Sequence, residues 1–239
     1  MHHARSLFLL LAVATLAGCT TTLRTSESFD QERASIEAIA VMPPEVSYQL
    51  RTATLSEMSP ETAIEVNAVV LQALENVLAE SRFAVAPLAL TDSLLAADAD
   101  LALGLTRARE SFGLAADSLR ATKHKVLTLT VDPEVGQFAD QADADYLLFA
   151  RGASFGSSTG ASARDAVVAV ASLLLFGGAG ISQQKGIVLE LALVNANTAE
   201  VVWYNRNKPG QTSFDPLDVD SIEKLCTALL KPLAGPKRS

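Results

Sequence analysis

Cysteine and histidine are nearly absent from this chain of 239 residues, which has two of the first and three of the second. Two cysteines, Cys19 and Cys226, can build neither a disulfide framework nor a cysteine metal site. His2 and His3 fall at the extreme N-terminus, so His124 is the only imidazole in the body of the chain. Basic residues are also in deficit, with 19 Lys and Arg against 27 Asp and Glu and a formal charge of -8. Nucleic acid is excluded as a partner, because neutralising phosphates requires clustered Lys and Arg. A polybasic membrane-surface protein is disfavoured on the same ground. No internal repeat is visible.

What is present begins with a targeting signal. Arg5, an apolar stretch from Leu7 to Val13 and small residues up to Gly18 have the order of a secretory signal, so residues 1–18 are not a fold element. The signal ends in Leu16-Ala17-Gly18-Cys19, which resembles a bacterial lipobox. That resemblance implies a diacylglyceryl group on the Cys19 thiol, cleavage before Cys19 and acylation of the new amine, with no other cofactor. Two or more acyl chains anchor stably, since each buried CH₂ contributes about 0.8 kcal/mol. Thr20 rather than Asp follows the cysteine, which by the same resemblance implies lipid anchoring at the periplasmic face of the outer membrane. Residues 19–35 are rich in Thr, Ser and Glu, lack an apolar period and read as a flexible tether. Residues 36–233 are then expected to form one domain.

Strand and helix patterns alternate through that domain. Ile36 to Met42 reads as a buried strand stopped by Pro43-Pro44, followed by a polar loop. Ser59-Pro60-Glu61 opens a helix, with Val66, Val70, Ala73, Leu74, Val77 and Leu78 on one face. Phe83 to Ala86 is a second strand. Thr91 to about Ala121 is helical with a break expected near Ser111-Phe112-Gly113, and Val126 to Val131 alternates like an edge strand. A short helix over Gln137 to Ala142 leads into the strand Asp145 to Ala150. Gly186 to Val194 sets Ile187, Leu189, Leu191 and Leu193 on one face with Glu190 opposite, and Glu200 to Arg206 returns as the second arm of a hairpin. A last helix carries Ile222, Leu225, Cys226, Leu229 and Leu230 on its apolar side and is expected to stop before Pro232. The fold class is therefore α/β, a mixed sheet of about five strands with helices packed on it.

The strand ending in Met42-Pro43-Pro44, the Phe-x-Val-x-Pro strand at Phe83 to Pro87, Ala144-Asp-Tyr-Leu-Leu-Phe149 and the hairpin Leu193-Val-Asn-Ala-Asn-Thr-Ala-Glu-Val-Val-Trp203 together resemble bacterial lipoproteins with a TolB-N-terminal-like domain of the CsgG and LpoB type. Asn195 stands where that family usually has Asp, and Ala199 where it has Gly. The resemblance implies a binding or assembly protein and suggests no reaction.

The candidate chemistries are weak. Gly156-Ser157-Ser158-Thr159-Gly160 matches a nucleophile elbow, but a general base after the serine in chain order is required and no histidine follows. Gly177-Gly178-Ala179-Gly180 lacks the spacing and lysine of a phosphate loop. His124 between Lys123 and Lys125 reads as a solvated side chain, and Asp98, Asp100, Asp140, Asp143 and Asp145 as caps without calcium-loop spacing. No metal site and no catalytic residue are expected. Cys226 reads as a core thiol, and of Trp203 and Tyr204 one is expected in the core and the other free for the surface.

Ala166 to Phe176 holds no charge, with Ser172 its only polar side chain, between the helix-start pattern Ser162-Ala-Arg-Asp165 and the stop Gly177-Gly178. A helix of that length reaches on the order of 20 Å, short of a bilayer core of about 30 Å. Its missing polar stripe leaves two readings, cover by neighbouring elements or contact with another copy, an envelope protein partner or the bilayer. The candidate contact residues are Val167, Val168, Val170, Leu173, Leu174, Leu175 and Phe176. A non-enzymatic interaction or envelope-assembly module is expected, with an oligomeric export or pore component as the alternative.

Overall fold

The computed structural model describes residues 22–51, 55–121, 126–157, 185–208 and 214–234. Their backbone builds one eight-stranded mixed sheet covered by helices on both faces. In chain order the elements are β1 (Arg24–Thr25), α1 (Phe29–Ser35), β2 (Ala38–Val41), β3 (Glu45–Arg51), β4 (Ser56–Met58), α2 (Pro60–Ala79), β5 (Ala84–Ala86), α3 (Asp92–Ala97), α4 (Ala99–Ala121), a 3₁₀ turn (Pro133–Val135), α5 (Gly136–Ala142), β6 (Tyr146–Ser157), β7 (Lys185–Asn195), β8 (Glu200–Arg206) and α6 (Val219–Ala234). The α/β class expected from the sequence is the class found, with eight strands in place of about five.

The sheet runs β1-β8-β7-β6-β2-β5, with β3 added to the far half of β6 and β4 added to β3. Pro43-Pro44 does not end pairing along this edge. Val41 lies opposite Leu148 and Glu45 opposite Arg151, so four steps on one strand match three on the other. The extra residue is a bulge at two prolines that have no N–H to give the ladder, and Met42 N still donates to Leu148 O at 2.9 Å. The expected polar loop is thus strand β3 and the edge strand β4. Gln49 and Arg51 share one face of β3, opposite Met58 and Ser56 of β4, and a solvated edge does not need the apolar run that marks a buried strand.

On one face α2 and α6 bury Val66, Val70, Leu74 and Leu78 with Ile222, Leu225, Leu229 and Leu230 against Ile39, Leu148, Leu191 and Trp203. Ser59 caps α2, its hydroxyl accepting from Thr62 N, as the Ser-Pro start predicts. Pro232 lies inside the last turn of α6 and does not stop it. On the other face α4 and α5 bury Leu101, Leu105, Phe112, Leu119 and Phe138 against Leu147, Phe149, Ala192 and Tyr204. Phe112 and Phe149 meet with centroids 5.2 Å apart. The break expected at Ser111-Phe112-Gly113 is absent: α4 passes through it, because Phe112 and Gly113 are both buried and Arg151 Nη1 donates to Gly113 O at 3.0 Å. Val126 to Val131 makes only isolated bridges, Thr25 with Val126 and Thr130 with Glu200.

The segment expected as a tether is folded from Thr22 onward. Thr22 N donates to Arg206 O at 2.9 Å and Ser26 N to Val202 O at 2.9 Å, so β1 closes the sheet beside β8. α1 then buries Phe29 in the core under α6 and the sheet. One aromatic every few residues is too sparse to register as a period, yet Phe29 is enough to dock a two-turn helix.

Candidate functional site

Ionic chemistry inside the described fold gathers around Glu190, mid-strand in β7 and 2 % exposed. The ladder sets Arg151 of β6 and Arg206 of β8 directly opposite it, on the face covered by α4. Arg120 Nη1, from the last turn of α4, donates to Glu190 Oε1 at 3.1 Å. Arg206 Nε lies 3.0 Å from the same oxygen but is angled away from a hydrogen bond. Asp117, one turn before Arg120 on α4, pairs with Arg120 and, at 3.0 Å, with Arg151. Two carboxylates and three guanidiniums therefore join α4 to three adjacent strands.

Burial pushes the Glu190 carboxyl up from its ordinary value of 4.5, and the guanidiniums of Arg120, Arg206 and Arg151 pull it only part of the way back. Glu190 Oε2 and Tyr204 Oη are both buried without a hydrogen-bond partner. The Tyr204 hydroxyl is held neutral by burial first and by Glu190 second. A carboxylate this enclosed clamps a helix to a sheet.

Two hollows among the described residues lie elsewhere. One of about 500 Å³ is lined by Glu27, Ser28, Leu127, Thr128, Thr130, Thr198 and Glu200. A smaller one of about 240 Å³ is lined by Asp140, Asp143, Asp145 and Asn197 with Gly136, Ala139, Ala144 and Ala196. Asp145 Oδ1 in this second hollow accepts from Asn197 Nδ2 at 3.2 Å. Among the described residues no group of three or more His, Cys, Asp or Glu could hold a metal ion.

Cys19 lies outside the described residues, as do Val167, Val168, Val170, Leu173, Leu174, Leu175, Phe176, His124 and Ser158. Ser157 ends β6 in a pair with Arg51. Asp98 does cap α4, accepting from Leu101 N at 3.0 Å, and Asp143 takes the left-handed conformation after α5 at φ 53°. Cys226 is fully buried and its thiol is pushed up to about 12 by burial, with Glu223 adding to the shift. Trp203 and Tyr204 are both core, at 0 % and 1 % exposed, which corrects the expectation that one reaches the surface. They point to opposite faces of a sheet that is covered on both. Glu190 stands opposite its leucines as expected, and the face it occupies is another interior. The signal for this was in the sequence as Arg206 and Arg151, one on each flanking strand. Register alone could not be read from it.

The fold and this interior define a three-layer α/β domain without an open reaction centre among the described residues. No family model matches the chain, and no curated protein matches it. Solved structures to which the chain is similar include the PelC dodecamer from Paraburkholderia phytofirmans, at 12% identity and a TM-score of 0.34, covering 90% of this chain and 99% of that one. A DUF4136 family protein from Bacteroides thetaiotaomicron aligns at 8% identity and a TM-score of 0.34, covering 86% of this chain and 92% of that one. Likeness at this distance transfers no residue role and no activity.

Proposed function

We propose that this chain is an outer-membrane lipoprotein, anchored at the periplasmic face through acylated Cys19, whose α/β domain binds another envelope protein or a second copy of itself and catalyses no reaction. The observation that carries this reading is the closeness of anchor and fold. Cys19, at the end of the signal read from the sequence, precedes by three residues Thr22, whose N donates to Arg206 O at 2.9 Å. A domain on so short a leash works at the surface that holds it. The uncharged run Ala166 to Phe176 and the resemblance to CsgG-type and LpoB-type lipoproteins support the interaction class. Intact-mass analysis of the protein extracted from envelopes tests the anchor. Added diacylglyceryl and acyl mass on Cys19 is expected, with Cys19→Ala released to the soluble fraction; a bare N-terminus overturns the reading. Val168→Asp with Leu174→Asp is expected to abolish crosslinking to a partner or a second copy, and unchanged crosslinking counts against that contact.

The second reading, an oligomeric export or pore component, is favoured by the length of β6 and β7, 12 and 11 residues, whose paired ends Gly156 and Lys185 flank the same uncharged run. A ring in detergent by electron microscopy supports it. A monomer excludes it.

A further inference from the structure

The end of the sheet formed by β3, β4, β6 and β7 stands farther out than the point where the anchor enters, and we infer that this end is a second contact with the phospholipid surface. The inference rests on the lipid-anchor reading. Its geometry comes from strand register.

β1 runs antiparallel to β8, with Thr25 opposite Trp203 and Arg24 opposite Tyr204, and Thr22 N donates to Arg206 O. Arg206 in turn lies opposite Glu190. The chain therefore joins the sheet at the level of Glu190, and from Thr25 back to Thr22 it heads the same way as the paired ends of β6 and β7, Gly156 and Lys185. From Glu190 to Lys185 the β7 strand continues for five more residues, roughly 17 Å at about 3.3 Å each. β6 and β3 accompany it as far as Ser157 and Arg51. The leash from Thr22 to Cys19 is three residues and reaches at most about 10 Å. An upright domain thus carries its sheet end roughly 7 Å beyond the anchored cysteine, within the ~5–10 Å depth of interfacial contacts.

The side chains at that end suit such a depth. Met58 and Leu55 are each 61% exposed, and Met58 lies opposite Gln49, which lies opposite Phe155. Phe155 and Val188, half-buried, occupy the same face as Met58. The Arg51 guanidinium stacks 4.0 Å over the Phe155 ring, and Lys185 pairs with Asp215 at 2.7 Å. An exposed apolar face with charged side chains at its rim suits the boundary between acyl chains and headgroups.

The test uses the full lipoprotein reconstituted in vesicles of phosphatidylethanolamine and phosphatidylglycerol. Met58→Cys, at the proposed contact, and Thr198→Cys, in the β7–β8 turn at the other end, are each labelled with a bimane fluorophore and exposed to lipids brominated along the acyl chain. Quenching at position 58 several-fold above that at position 198 is expected, with protection of position 58 from aqueous iodide. Equal quenching at the two positions, stronger quenching at 198, or a position 58 shielded from both quenchers by protein overturns the inference while vesicle flotation still attests the anchor. Failure of the unsubstituted protein to float overturns the anchor reading and this inference with it.

Discussion

Arg120 Nη1 donates to Glu190 Oε1 at 3.1 Å, and through that one bond the last turn of α4 is fixed to the middle of β7. Removing Glu190 takes away the buried acceptor of Arg120 and the ion-pair partner of Arg206, while Arg120 and Arg151 keep Asp117. Glu190→Ala is expected to cost about 3 kcal/mol. In a domain of this size that is roughly a 6–12 °C drop in melting temperature, measurable by calorimetry. Arg107→Ala, which breaks an exposed pair with Glu134, is expected to cost less than about 1 kcal/mol.

The same residue gives a pH dependence with a fixed sign. The Glu190 carboxyl is raised in the folded protein above its ordinary 4.5, so between that value and the raised one the native state holds more protons than the unfolded state. Stability contributed at this position is therefore present at low pH, falls as pH rises above 4.5 through the folded value, and is level beyond it. Urea midpoints from pH 4 to 7 are expected to show the unsubstituted protein losing ground against Glu190→Gln as pH rises. Parallel curves would contradict the assignment.

Asn207 finishes the sheet where β8 has ended. Its Nδ2 donates to Ile187 O at 3.0 Å and its Oδ1 accepts from Leu189 N at 2.7 Å, so one side chain stands in for the next rung of backbone. Asn207→Ala leaves both buried groups unpaired and is expected to cost about 2 kcal/mol by urea unfolding. Faster hydrogen exchange at the Leu189 amide is the local readout.

Two glycines in β6 separate by what a methyl group would meet. At Gly152 it would fall 2.2 Å from the Val188 carbonyl oxygen, part of the paired backbone of β7, whereas at Gly156 it would meet the Tyr48 hydroxyl at the end of a side chain. Gly152→Ala is expected to cost about 3 kcal/mol and Gly156→Ala about 1 kcal/mol. The order of the two denaturation midpoints checks this.

Cys226 is fully buried with its thiol raised to about 12, so it stays protonated and out of reach. If Cys19 is acylated as proposed, a disulfide reagent at pH 8 is expected to titrate no thiol in the native protein and one in urea. A second thiol in urea would place Cys19 in the unacylated state.

Asp143 follows α5 in the left-handed conformation at φ 53°, with Ala144 N donating to Ala139 O at 3.1 Å. Glycine carries no penalty there. Because Asp143 is exposed, Asp143→Gly is expected to gain about 0.5–1 kcal/mol, seen as a higher melting temperature.

The sequence by itself determined the elements whose residues bury one clear stripe: α2 with Val66, Val70 and Leu74, the β7–β8 hairpin, and α6 with Ile222, Leu225 and Leu229. Periodicity reports burial, and these segments spend their apolar side chains in a regular order. It also carried the apolar N-terminal run and the Leu16-Ala17-Gly18-Cys19 motif, which are legible as local chemistry. Only the tertiary structure decided that Thr22 and Phe29 belong to the fold, that β3 resumes after two prolines, and that Glu190, Trp203 and Tyr204 are all interior. Each of those depends on what lies across the sheet: a polar side chain opposite leucines means solvent when one face is covered and a buried ion pair when both are.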